Sequence, residues 1–224
     1  MEDRAPARRQ LKIETKYFLP GFLLANVALV YSLSPAFLNP TNISNVLMQA
    51  APLAIVVIGQ TFALLVRGLD LSVASVMATS AVFATSFQTT DNMMIPILFA
   101  TAILLGIVTG AANGYLVAKR HVSPFLATLA TMIVLQGVRF LITEGSAGST
   151  LPGGMSVIGQ GTVSGIPVNV LILGAIALVI GYLLHFSSFG RKIYMVGGNP
   201  IAARLSGVNT DRVTIACYIF CSVL

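Results

Sequence analysis

This sequence carries little charge. Asp, Glu, Lys and Arg together make up 9% of its 224 residues, against roughly 25% in soluble domains, which excludes a water-soluble globule. Histidine and cysteine are also scarce, two of each. No His/Cys/carboxylate group has metal-ligand spacing, so neither a metal nor a cofactor is expected. Cys217 and Cys221 stand at i, i+4 on one helix face and are read as packed free thiols, not a disulfide. There is no Gly-x-x-x-x-Gly-Lys-Ser/Thr phosphate loop, so any ATP hydrolysis belongs to another chain. Gly159-Gln160-Gly161-Thr162-Val163-Ser164-Gly165 has the wrong glycine spacing for a dinucleotide fingerprint and no βαβ context. Without a Ser/His/Asp set or paired carboxylates, the chain is not expected to be an enzyme.

What fills the sequence is apolar. Hydrophobic residues reach 56%, the mean hydropathy is +0.88, and 17–66, 71–90, 92–118 and 145–190 contain no charged residue. A ~30 Å hydrocarbon core takes about 20 helical residues, so these blocks hold several spans. The fold class is therefore all-α, a polytopic transmembrane helical bundle. Spans are expected at about 17–36, 48–66, 72–88, 94–117, 124–143 and 168–185, between a basic N-terminus (1–16) and a cytoplasmic loop (186–212). A seventh begins near 213. Thr214 to Leu224 would make about 16 Å of helix, half of a bilayer core, so the chain is expected to be the N-terminal portion of a longer protein. No cleavable signal peptide is expected.

The net charge of +6 is explained by placement. With the N-terminus in the cytoplasm, Arg4, Arg8, Arg9, Lys12, Lys16, Lys119, Arg120, Arg191, Lys192, Arg204 and Arg212 all fall in cytoplasmic segments. Loops 37–47, 89–93 and 144–167 contain no Lys or Arg. This is the positive-inside pattern, and it calls for no nucleic-acid partner. His121 and His185 sit near cytoplasmic span ends and read as interfacial.

A few polar groups interrupt the spans. Asp70, in Arg67-Gly68-Leu69-Asp70-Leu71-Ser72, is an acid near the membrane and so a functional candidate. Equally, Asp70 or Ser72 can serve as the N-cap of a helix over Leu71–Ser86, with Gly68 allowing the break before it. Gln60, Thr61 and Asn113 either line a polar path or bond helices together. Gly106, Gly110 and Gly114 form a small-residue stripe for close helix contact, within one subunit or between two. Thr128 and Thr131 share a face of the span opened by Pro124, and Arg139 and Glu144 follow.

The most distinctive segment is Gly197-Gly198-Asn199-Pro200-Ile201-Ala202-Ala203-Arg204-Leu205-Ser206-Gly207. Asn199 is a good N-cap, Pro200 fits the first helical position, and Gly207 is a plausible stop. A helix of one or two turns is expected at the membrane surface, with Ala202 and Ala203 permitting close docking of another protein and Arg204 offering it a charge-assisted hydrogen bond.

Together these motifs resemble the permeases of the ribose-type branch of bacterial ABC importers, over nearly the whole chain. The resemblance is carried by Gly59-Gln60-Thr61, Gly68-Leu69-Asp70-Leu71-Ser72-Val73-Ala74-Ser75-Val76-Met77-Ala78, Asn113-Gly114 and Pro124-Phe125-Leu126-Ala127-Thr128-Leu129. Phe189-Gly190-Arg191 and the 197–207 segment extend it. The family usually has Gly where Arg67 and Ala74 stand, and many members have Glu where Ile201 stands. The resemblance implies an importer subunit with Asn199, Pro200, Ala202, Ala203, Arg204 and Gly207 in the ATPase-coupling loop. Its implied partners are cytoplasmic ATP-binding subunits, a second permease chain (identical or paralogous), a periplasmic sugar-binding protein and the lipid bilayer. Its cargo would be a small sugar. A branched-chain amino-acid permease is the nearest alternative. An ion-coupled secondary transporter would need more intramembrane ionisable groups than Asp70 and Arg139.

Overall fold

The computed structural model describes residues 15–144, 148 and 150–224. The basic residues before Thr15, and Ser149 in the loop expected outside, lie outside the described residues. The chain divides into residues 1–46 and 47–224. The first unit holds α1 (Thr15–Leu33), a 3-10 turn at Pro35–Leu38 and the start of α2 (Pro40–Leu65). There the Asn42 amide donates to the Phe37 carbonyl at 2.8 Å.

The second unit contains the rest of α2, α3 (Val73–Ser86), α4 (Ile95–Arg120), α5 (Pro124–Thr143), α6 (Gly153–Gln160), α7 (Val168–Phe186), α8 (Ser188–Gly198), α9 (Pro200–Leu205) and α10 (Thr210–Val223). A two-residue hairpin pairs β1 (Thr162–Val163) with β2 (Ile166–Pro167), Val163 opposite Ile166. Its turn residues Ser164 and Gly165 both have positive φ, 51° and 83°, as a tight hairpin turn requires. Among the described residues, four helices are long and apolar enough to cross a membrane: Pro40–Leu65, Asn92–Arg120, Pro124–Thr143 and Val168–Phe186. The spans expected at 17–36 and 72–88 correspond to shorter apolar helices, Phe18–Leu33 and Val73–Ser86. At 1.5 Å per residue, α3 is about 21 Å long, less than a full ~30 Å core.

The glycine stripe is used inside the chain. A Cβ at Gly106 would lie 2.6 Å from the Ser222 carbonyl oxygen, one at Gly110 2.5 Å from that of Tyr218, and one at Gly114 2.7 Å from the Ile215 Cα. Successive glycines on α4 thus meet successively earlier residues of α10, and the two helices run antiparallel in backbone contact. On the other side of α10, Gly59 of α2 faces the Cys221 carbonyl. Asn169 at the start of α7 donates to the Met48 carbonyl at 2.6 Å, tying α7 to α2.

The apolar core joins α2, α7, α8, α9 and α10 through Phe62, Leu184, Ile193, Val196, Ala203, Val213 and Cys217. Phe62 stacks on Phe220 with ring centroids 4.9 Å apart. Cys217 and Cys221 are buried free thiols. The helix α8 was not expected from the sequence. Ser187 caps it, accepting from the Gly190 N–H at 2.9 Å. Gly190, Ile193 and Val196 turn inward, while Arg191, Lys192, Tyr194 and Met195 stay exposed. That i, i+3, i+6 alternation of faces is the amphipathic signal of a surface helix.

Candidate functional site

Two sites emerge, one buried and one at a surface. The buried site forms where α2 ends. Arg67 adopts φ 63°, the Gly68 N–H donates to the Ala63 carbonyl at 2.8 Å, and the Arg67 N–H to that of Leu64 at 3.0 Å. This is a Schellman stop with arginine at the left-handed position that glycine usually fills. The backbone then drops Asp70 into the protein, 4% exposed.

The Asp70 carboxylate is held by three donors. Its Oδ1 accepts from the Ser72 N–H at 2.8 Å and the Ser72 hydroxyl at 2.6 Å, and its Oδ2 from the Ser222 hydroxyl at 3.3 Å. The Gln60 amide, oriented by its hydrogen-bond network, pairs with both backbone polar groups of Asp70. Its oxygen accepts from the Asp70 N–H at 3.1 Å and its nitrogen donates to the Asp70 carbonyl at 3.2 Å. The chain continues outward from Ser72, whose Oγ accepts from the Asn113 amide at 3.0 Å. The Asn113 carbonyl in turn accepts from the Thr131 hydroxyl at 2.6 Å. Ser222, Asp70, Ser72, Asn113 and Thr131 therefore form one buried polar line from α10 through the start of α3 and α4 to α5. Buried polar groups satisfied in this way rigidify and specify a unique packing.

The candidates separate accordingly. Gln60, Asp70, Ser72 and Asn113 meet in this line. Thr61 does not: its hydroxyl donates to the Val57 carbonyl in its own helix at 2.9 Å. The expected side-chain N-cap at Ser72 is also modified, because Ser72 makes no cap bond to α3 and the capping oxygen is that of Asp70, acting on the Ser72 N–H. Thr131 and Ser222 complete the line without having been singled out for it. The spacing of Thr131 gave its face, but nothing local links Ser222 to an acid 152 positions away. The Tyr218 hydroxyl is buried beside Gly68, where a Cβ would collide with it.

The surface site is α9. Asn199 Oδ1 accepts from the Ile201 and Ala202 N–H groups at 3.0 and 3.1 Å, Pro200 opens the helix, and Gly207 at φ 80° closes it. The Val208 N–H donates to the Ala203 carbonyl at 3.0 Å and the Gly207 N–H to that of Arg204 at 3.0 Å, a second Schellman stop. The expectation that Ala203 offers room for a partner is corrected by its orientation. Ala203 is 2% exposed and packs against the chain's own core, because its position on the turn points at α8 and α10. The outward face is carried by Ile201, 74% exposed, and Leu205, 85% exposed, with Ala202 beside them.

Arg204 is engaged within the chain. Its Nη2 donates to the Thr210 hydroxyl at 2.9 Å and to Asp211 at 3.3 Å, and Lys119 at the end of α4 reaches Asp211 at 2.8 Å. The Lys119 ammonium holds the Asp211 carboxyl below the usual carboxylate range, with Arg204 and Thr210 adding to the effect against a desolvation cost. This cluster pins the end of α9 to the start of α10 and the end of α4. At the other end, the Arg67 guanidinium donates to the carbonyls of Gly197, at 2.5 Å, and Gly198, the last residues of α8.

Residues 42–224 match the family described as the permease component of the branched-chain amino acid transport system. The chain belongs to this family. Among curated relatives, it is 39% identical over 210 residues to the ribose import permease protein RbsC of Escherichia coli K12, covering 90% of this chain and 64% of the relative. It is 37% identical over 213 residues to RbsC of Bacillus subtilis 168 (92% and 64%). It is also 31% identical over 219 residues to the galactose/methyl galactoside import permease protein MglC of E. coli K12 (90% and 65%). The chain thus spans about two thirds of the length of these permeases, 64–65%. No solved structure matches it.

Proposed function

We propose that this permease is the membrane-spanning subunit of an ATP-driven importer that carries a small sugar into the cytoplasm. The observation that carries the reading is the 39% identity to a ribose import permease over 90% of the chain. In this reading the N-terminus and α9 are cytoplasmic, and two permease chains enclose the path. ATP-binding subunits dock on the Ile201/Leu205 face, and a periplasmic binding protein delivers the sugar. ATP-driven closure of those subunits moves α9, and the movement reaches the spans through the α8–α10 core and the Asp70 line. The chain's own residues do no covalent chemistry. They bind, orient and transmit.

The family description names branched-chain amino acids, but the named relatives that support this reading are sugar permeases. The test is uptake by the assembled complex in proteoliposomes, offered ribose, xylose, galactose and leucine separately. ATP-dependent accumulation of one sugar without leucine is expected. Leucine uptake alone, or uptake that needs an ion gradient and no ATP, would contradict the proposal.

A further inference from the structure

Arg67 stands, at φ 63°, where glycine is the easier residue. Its left-handed backbone is one that L side chains adopt at a cost and glycine adopts freely. The arginine side chain is nevertheless engaged, since Nε and Nη2 meet the carbonyls of Gly197 and Gly198. These are carbonyls that the end of a helix leaves without intrahelical partners, and a cation there also suits the helix dipole. The approach is close in the backbone as well, because a Cβ at Gly197 would collide with the Leu65 carbonyl oxygen. Two short covalent stretches extend this contact. Gly198 is followed directly by Asn199, the cap of α9, and Arg67 is followed three residues later by Asp70.

We infer that Arg67 is the positioning residue that ties the surface helix α9 to the buried Asp70 line, so that displacement of one moves the other. The inference rests on the ATPase-docking reading above and adds to it a defined route. A guanidinium bound to two successive carbonyls resists both rotation and withdrawal, which a single-point contact does not. The second attachment of α9, Arg204 and Lys119 on Asp211, leads to α4 and α10, which reach the same line only farther along, at Asn113 and Ser222, and not at the loop that carries Asp70. Arg67 alone joins α9's leading end to that loop among the hydrogen bonds of the described residues.

The test uses the full-length complex with its ATPase subunits in lipid nanodiscs and needs no transported sugar. Leu69→Cys places a thiol beside Asp70 at a partly exposed position. Cys217 and Cys221 are fully buried, so a membrane-impermeant maleimide reads the new thiol, with the Leu69 chain as blank. With Arg67 present, ATP plus vanadate is expected to change the labelling rate about fivefold, in the range of ordinary coupling between sites. Arg67→Gly, which suits the left-handed backbone, should keep the ATPase subunits bound and trapped nucleotide unchanged, yet reduce the response to less than about twofold. Arg67→Lys, able to meet one carbonyl, should fall between. A full labelling response in Arg67→Gly would overturn the inference while leaving the docking reading intact. So would loss of ATPase assembly in that variant, which would make Arg67 a helix cap alone. If the Arg67 chain itself fails to retain ATPase subunits, the docking reading fails and takes the inference with it.

Discussion

Asn113 on α4 donates to the Ser72 hydroxyl at 3.0 Å, joining the start of α3 to α5 through the bond it accepts from Thr131. Asn113 is fully buried, so removing its amide takes one hydrogen bond from each of two hydroxyls, leaving Ser72 with Asp70 and Thr131 with the Ala127 carbonyl. Asn113→Leu is expected to destabilise the protein by about 1–3 kcal/mol, at roughly 0.5–1.5 kcal/mol for each of the two buried hydrogen bonds lost. Thermal unfolding in detergent would check this, and a melting temperature equal to that of the unsubstituted chain would contradict it.

Asp70→Asn and Asp70→Ala separate geometry from charge. Asparagine can keep the Oδ1 that accepts from the Ser72 N–H and hydroxyl, and its amide can donate to Ser222 if that hydroxyl turns to accept. Uptake and abundance should therefore stay near normal in Asp70→Asn, while Asp70→Ala should lose stability on the order of 1–3 kcal/mol. Collapse of uptake in Asp70→Asn at normal abundance would show that the charge itself serves transport.

The Asp211 cluster gives a pH dependence with a definite sign. Lys119 lowers the Asp211 pKa from its ordinary 3.8, so the stabilisation is fully present above about pH 4 and is lost as the pH falls through the lowered value. The contact is partly solvated, so the effect should be small, roughly 0.2–1 kcal/mol. Asp211→Asn should lower stability at pH 7 by that amount and make no difference once the carboxyl of the unsubstituted chain is protonated. Equal stability of the two at pH 7 would contradict the ion pair's contribution.

The glycine stripe predicts a steep steric response. A Cβ at Gly110 would stand 2.5 Å from the Tyr218 carbonyl oxygen and 2.6 Å from the Ile219 Cα, backbone atoms that cannot turn aside. Gly110→Ala should cost about 1–3 kcal/mol, as overpacking does. Gly174→Ala on α7, where nothing lies within 4 Å, should be neutral or slightly stabilising. The comparison is read from folded yield and melting temperature, and equal behaviour of the two variants would contradict the α4–α10 packing.

What could be read from the sequence was local. The cap at Asn199, the stop at Gly207 and the spacing of Gly106, Gly110 and Gly114 are written in runs of a few residues, and each takes the expected conformation. Partners across the fold could not be read. The stripe does not say that α10 covers it, Asn113 and Ser72 are 41 positions apart, and Arg67 and Gly197 are 130 apart. The orientation of Ala203 failed for the same reason, since a helix of six residues is too short for periodicity to reveal which side is buried. The stretch 144–167, read as a loop between spans, contains α6 and the hairpin, both too short to show a periodic apolar pattern.

If α9 is the cytoplasmic contact for ATP-hydrolysing subunits, as proposed, site-specific photocrosslinking from its exposed face will capture them. A benzophenone amino acid placed at Leu205, 85% exposed on α9, or at Met93, 83% exposed in the loop before α4, samples the two sides of the expected topology without touching the core. An adduct between Leu205 and the ATPase subunit is expected in intact membranes, and none from Met93. An adduct from Met93, or none from Leu205 in a complex that still hydrolyses ATP, would contradict the proposal.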